Sequence, residues 1–163
     1  MRLRDKKLTT TALLAAAAIV LSILEAALFG GTSGIPGAKL GLANIAVILA
    51  MVMFGGKTAI LIGVVKALAS FFVSGAITTL WYALAGTLLS IAGMLLLHRR
   101  FRCFSLLGIS AFGGFLSNLA QLAVMMLLTQ TVEFLYYLPL LTLFGVASGC
   151  INGFLSELVL SRR

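Results

Sequence analysis

Long apolar runs, separated by short breaks rich in glycine, proline or basic residues, set the plan of this chain. The runs cover 8–29, 39–54, 58–73, 77–97, 106–128 and 138–160. A helix that crosses a 30 Å hydrocarbon core needs roughly 20 mostly apolar residues, and several of these runs reach that length. The pattern predicts an all-α, polytopic membrane protein with six transmembrane helices in a single integral membrane domain over 1–163. Pro139 suits the first turn of the sixth helix, where its missing N–H is harmless. Gly145, Gly149 and Gly153 recur every four residues and give that helix a groove for close packing. Trp81, Tyr136 and Tyr137 suit a membrane–water interface.

The second and third runs have 16 residues each, so as helices they reach only about 24 Å. Between the first and second lies a loop from Gly30 to Ala38 that holds both Gly and Pro. Irregular backbone at membrane depth is tolerated where protein buries it or where it lines a cavity. Short spans beside such a loop point to a pocket at this end of the molecule. Glu25, Lys39 and Asn44 surround the loop, in a chain with only four acidic residues.

Composition strengthens the membrane reading. Mean hydropathy is +1.17 and 10% of residues are charged, against about a quarter in soluble domains. The net charge of +8 is topological. Arg2, Arg4, Lys6, Lys7, Lys57, Arg99, Arg100, Arg102, Arg162 and Arg163 all fall on one side of a six-span chain, which the positive-inside rule makes cytoplasmic. Both termini are then cytoplasmic in a multi-pass protein of the inner or plasma membrane, and no nucleic-acid partner is implied. Met1 to Lys7 followed by apolar residues imitates a signal peptide, but the run to Phe29 is too long for a typical one. It reads as an uncleaved first helix. Cys103 and Cys150 lack the spacing of a disulfide framework or metal site.

The remaining polar groups are few. Lys66 stands in the middle of the third span, where a charge needs a partner or a wet cavity. Asn118 and Gln121, three apart, share a face of the fifth helix; Thr78, Thr79 and Asn152 add hydroxyl and amide groups. These side chains can line a pocket or serve as interhelical glue. Ala12, Ala15, Ala16, Ala17 and Ala18 form a smooth face suited either to internal packing or to a partner helix. Catalysis finds no support: HExxH, GxSxG, Walker A and paired-aspartate motifs are absent. Asp5 is the only aspartate, while Mg²⁺-assisted diphosphate chemistry needs carboxylate ligands. No metal site, cofactor or enzymatic activity is expected, and active transport would need an energising partner or an ion gradient.

Leu24-Glu25, Pro36-Gly37-x-Lys39-Leu40-Gly41-Leu42-Ala43-Asn44-Ile45, Asn118-x-x-Gln121-Leu122 and Tyr136-Tyr137-Leu138-Pro139 with Gly145 and Gly149 resemble the Gx transporter family, also named heptaprenyl diphosphate synthase component I. The match runs through nearly the whole chain, and the PGxKLGLAN stretch carries its specificity. That family in turn is similar to the substrate-binding S components of energy-coupling factor (ECF) transporters. The resemblance implies a six-helix protein that captures a vitamin-like solute near the outer face, with the first loop closing over it. It also implies docking through alanines of the first helix, here Ala12 and Ala16, onto a transmembrane subunit that carries two ATPases.

Two functions follow as expectations. In the first, the chain is the solute-binding membrane subunit of an ECF-type importer. Glu25, Lys39, Asn44, Lys66, Asn118 and Gln121 then line the pocket, and the lysines favour a ligand with a carboxylate or phosphate. In the alternative, it is a non-catalytic membrane subunit of heptaprenyl diphosphate synthase or of isoprenoid-quinone synthesis. An ion-driven carrier acting alone is the weakest reading, because no proton relay is visible.

Overall fold

The structure, a computed structural model, describes residues 3–29, 41–100 and 104–162. Six α-helices account for most of them: α1 (Leu3–Phe29), α2 (Asn44–Phe54), α3 (Gly56–Ser74), α4 (Ile77–Arg100), α5 (Leu106–Thr129) and α6 (Leu138–Ser161). The expected loop before α6 contains a 3-10 helix, Val132–Tyr137. Five of the helices are long and apolar enough to cross a membrane.

The exception is α2. Its 11 residues rise only about 16 Å, half a hydrocarbon core. The sequence pattern placed the start of this helix at Lys39, which lies outside the described residues, as does the glycine/proline loop. Helical geometry begins five residues later, at Asn44. The other boundaries fall close to the apolar runs, with local chemistry fixing them. Gly75 ends α3 in the left-handed conformation (φ 68°) and returns its N–H to the Phe71 carbonyl. The Ser105 side chain accepts from Gly108 N–H and caps α5. Pro139 sits in the first turn of α6 as expected.

Packing runs in a chain of neighbours: α1 on α2 and α3, α2 on α3 and α6, then α3 on α4, α4 on α5 and α5 on α6. The closest approach joins α5 to α6. A Cβ added at Gly149 would stand 2.7 Å from Ala111 Cα, and one at Gly153 2.7 Å from Leu107 Cα, so only glycine admits the facing backbone there. Val47, Ile48, Met51, Ile62, Ile91, Met94 and Ile109 form a buried apolar core among α2, α3, α4 and α5. Around it, large apolar side chains such as Leu13, Phe72, Leu127 and Leu143 are exposed, as a protein solvated by lipid requires.

Contacts at the helix ends give the bundle its polarity. Lys7 Nζ lies 5.8 Å from the centre of the Phe54 ring, Leu95 covers Gly56, and Gly153 faces Leu107. The start of α1, the α2–α3 turn, the end of α4, the start of α5 and the end of α6 therefore share one end. Lys6, Lys7, Lys57, Arg99, Arg100 and Arg162 all belong to it.

Candidate functional site

The turn that precedes α2 is the organising feature. Gly41 has φ 64°, a left-handed conformation that glycine adopts without strain. Its carbonyl accepts from Asn44 N–H at 2.8 Å, which closes the turn and starts the helix. With α2 only three turns long, this turn lies about 15–20 Å above the basic end, within the bundle. Backbone at that depth must find protein partners, and side chains of α1 and α6 supply them.

Glu25 of α1 accepts from the Gly41 N–H. Asn152 Nδ2 of α6 donates to the Gly41 carbonyl at 2.9 Å. Lys66 Nζ of α3 donates to Asn44 Oδ1 at 2.5 Å. Glu25, Asn44, Lys66 and Asn152 thus meet around one turn although they come from four helices. Lys66 and Asn152 stand at similar depths, about 15 and 13 Å from the basic ends of α3 and α6. Glu25 is 6% exposed and Asn152 1%.

Two buried oxygens near this turn, Asn152 Oδ1 and Ser22 Oγ, have no hydrogen-bond partner among the described residues. Ser22 precedes Glu25 by three residues, so both share the inward face of α1. A buried acceptor left open is costly, commonly about 1–3 kcal/mol, and marks a place where a guest or a water can bind. The site therefore offers an ammonium donor, a carboxylate and an open amide acceptor within one polar cluster. No group of three or more His, Cys, Asp or Glu side chains suited to a metal occurs among the described residues.

Of the sequence-based candidates, Glu25, Asn44 and Lys66 are brought together, and Lys39 lies outside the described residues. Asn118 and Gln121 have other partners. Asn118 Nδ2 donates to the Leu141 carbonyl at 2.7 Å and ties α5 to α6. Gln121 Nε2 donates to Ser117 Oγ at 3.1 Å on its own helix, facing α4 at Gly86. Both lie in the half of the bundle away from the basic end, Asn118 as a tie between α5 and α6 and Gln121 in a bond within α5. Asn152, which sequence reasoning named among the polar groups but not in the pocket set, completes the cluster. It stands 111 positions from Gly41 in the chain, and no local motif announces it. Ala12 and Ala16 are exposed on α1, whereas Ala18 is fully buried, so the alanine-rich helix presents small residues both to the core and outward.

A solved structure described as the S component of a bacterial ECF transporter superposes with a TM-score of 0.66 over 98% of this chain and 95% of that one, at 18% sequence identity. At that identity the likeness is one of fold. No curated protein matches the chain in sequence. A family model described as heptaprenyl diphosphate synthase component I matches residues 14–159, nearly the full length of the bundle, and the chain belongs to that family.

Proposed function

We propose that this protein is the substrate-binding membrane subunit of an ECF-type importer and that it captures a small vitamin- or precursor-like solute near the outer face. The observation that carries the reading is the polar cluster at Gly41, with Glu25, Asn44, Lys66 and Asn152 gathered inside an otherwise apolar bundle. The S-component fold supports it. The basic end is the cytoplasmic one by the positive-inside rule, so the turn opens toward the opposite face. Lys66, with Lys39, recognises a carboxylate or phosphate on the solute, while Asn152 Oδ1 takes a hydrogen bond from an N–H or O–H. Asn118 and Gln121 stand farther along α5 as the outer wall. Ala12 and Ala16 dock α1 onto a transmembrane subunit that carries two ATPases.

The family description favours a second reading, a non-catalytic membrane subunit of a heptaprenyl diphosphate synthase. In that case the chain presents a lipid-linked substrate to a partner enzyme. Asp5, the only aspartate, stands at the start of α1, far from the polar cluster, so the metal-binding carboxylates of diphosphate chemistry would come from the partner.

Gentle purification of the tagged chain from its own membranes, followed by mass spectrometry of proteins and small molecules, separates the two. Two ATPases with a membrane partner, together with a polar solute, establish the importer reading. A soluble aspartate-rich prenyl synthase overturns it in favour of the second.

A further inference from the structure

Away from the polar cluster, on the face formed by α4, α5 and α6, a groove of about 560 Å³ is lined by apolar side chains. Its floor is opened by two small residues of α5, Gly108 and Ala111. A Cβ at Gly108 would meet only Phe104 and Ser105 of its own chain segment, at 3.4 Å and 3.7 Å, and nothing from α4 or α6. Phe112 and Phe115 of α5 and Val146 of α6 form the walls, with Leu97 of α4 at the lower edge.

Direction and length are informative. Gly108, Ala111 and Phe115 recur at helical spacing along one stripe of α5, and Phe104 stands just before the helix at its foot. From Gly108 to Phe115 the stripe climbs about 10 Å from the basic end toward the middle of the bilayer, and with Phe104 at its foot the groove covers most of one leaflet of hydrocarbon. The groove therefore runs parallel to a lipid chain rather than across it. At its lower end, Arg100 follows Leu97 by three residues and shares its face of α4. Arg99 and Arg100 are both exposed in the last turn of that helix, at headgroup level.

We propose that this groove is a binding site for an anionic phospholipid of the leaflet at the basic end, with one acyl chain in the groove and the phosphate held by Arg100 and Arg99. Charge complementarity selects the occupant. A zwitterionic lipid fills the same apolar channel but gains less from two arginines at its mouth. The site is independent of the solute cluster and lies on different helices from Ala12 and Ala16 of α1, so a bound lipid and a docked partner do not compete.

The test is native mass spectrometry of the purified chain released from nanodiscs of equal phosphatidylglycerol and phosphatidylcholine. The expected result is one retained phosphatidylglycerol, favoured over phosphatidylcholine by about thirtyfold, the order expected of two arginines at an anionic surface. Ala111→Phe, which fills the floor, should abolish that retention. Arg99→Gln with Arg100→Gln should keep a bound lipid but remove the preference. Because both arginines are exposed at a helix end, the arginine variant carries the test even if Ala111→Phe does not fold. Equal retention of the two lipids by the unmodified chain overturns the proposal. So does an undiminished preference in the arginine variant, or displacement of the phospholipid by an added prenyl diphosphate at equal concentration.

Discussion

Lys66 Nζ donates to Asn44 Oδ1, tying the middle of α3 to the first residue of α2. The bond joins a charge deep in the bundle to the point where irregular backbone becomes helix. A lone ammonium at this depth would be expensive, and here it is held beside a turn that also engages Glu25 and Asn152. Lys66→Met should therefore abolish solute binding while the bundle still forms. A charge-assisted hydrogen bond is worth roughly 1.5–3 kcal/mol, so binding should weaken by about tenfold or more. Uptake of the co-purifying solute into cells, with detergent-phase melting as the control for folding, checks this. Normal uptake by the variant would remove Lys66 from the site.

Gly41→Ala should destabilise the turn itself. A left-handed backbone is disfavoured by about 1–2 kcal/mol for an L residue, and the added Cβ would stand 3.0 Å from Asn44 Nδ2. Thermal unfolding in detergent, followed by the fluorescence of Trp81, should show a lower midpoint. Solute binding should fall with it, because Glu25 and Asn152 both hold this residue. A Gly41→Ala variant with an unchanged midpoint and unchanged binding would mean that the turn is not fixed as described.

Most of the bundle was legible from the spacing of apolar runs, because helices in lipid must satisfy their own backbone and so follow the hydrophobic pattern closely. The start of α2 was not. An apolar run from Lys39 reads as helix, yet Gly41 leaves the helical region, and its N–H and carbonyl are taken by Glu25 and Asn152 from other helices. Tertiary hydrogen bonds overrode the local pattern there. The i, i+3 spacing of Asn118 and Gln121 reads as one helix face, yet Asn118 turns to the Leu141 carbonyl of α6 and Gln121 toward Gly86 of α4, a divergence that spacing does not carry. Asn152 was overlooked as a site residue for the same reason: its partner is close only after folding.

Ala12→Leu with Ala16→Leu should leave folding and solute capture intact and break assembly. Both alanines are exposed on α1, which packs chiefly on α2 and α3, and leucine there would hold a partner helix away. Co-purification of ATPase subunits should drop to background while the melting temperature stays within a few degrees. Retention of those subunits by the double variant would move the docking face elsewhere.

Two glycines separate rigid from yielding contacts. At Gly149 an added Cβ would meet the Ser110 carbonyl oxygen at 2.5 Å and Ala111 Cα at 2.7 Å, both backbone; at Gly56 it would meet the ends of the Leu95 side chain. Gly149→Ala should force α5 and α6 apart at a cost of at least about 1–3 kcal/mol, whereas Gly56→Ala needs only a rotamer change in Leu95. Detergent melting of the two variants in parallel should rank Gly149→Ala well below Gly56→Ala. The reverse order would show that the α5–α6 seam is more forgiving than its geometry.

Asn152 sets stability against function. Its Nδ2 donates to the Gly41 carbonyl, worth about 1 kcal/mol, while its buried Oδ1 has no partner among the described residues and carries a penalty of about 1–3 kcal/mol. Leucine has the branched outline of asparagine but bulkier methyl ends, and it removes both polar atoms. The two polar terms oppose each other and the bulkier methyls add an overpacking cost of about 1–3 kcal/mol, so Asn152→Leu should melt only modestly below the parent. Binding should respond differently. The open Oδ1 is the acceptor proposed for a solute N–H or O–H, and its loss, with the loosened Gly41, should reduce solute retention by about tenfold. Asn152→Asp distinguishes a pocket role from a packing role, since it keeps an oxygen at the open position but sets a carboxylate against the Gly41 carbonyl. It should melt below the leucine variant. Co-purified solute per mole of protein, measured beside the melting curve, reads both effects. If Asn152→Leu unfolds readily yet retains its solute, Asn152 is a structural tie of α6 to the turn and not part of the pocket.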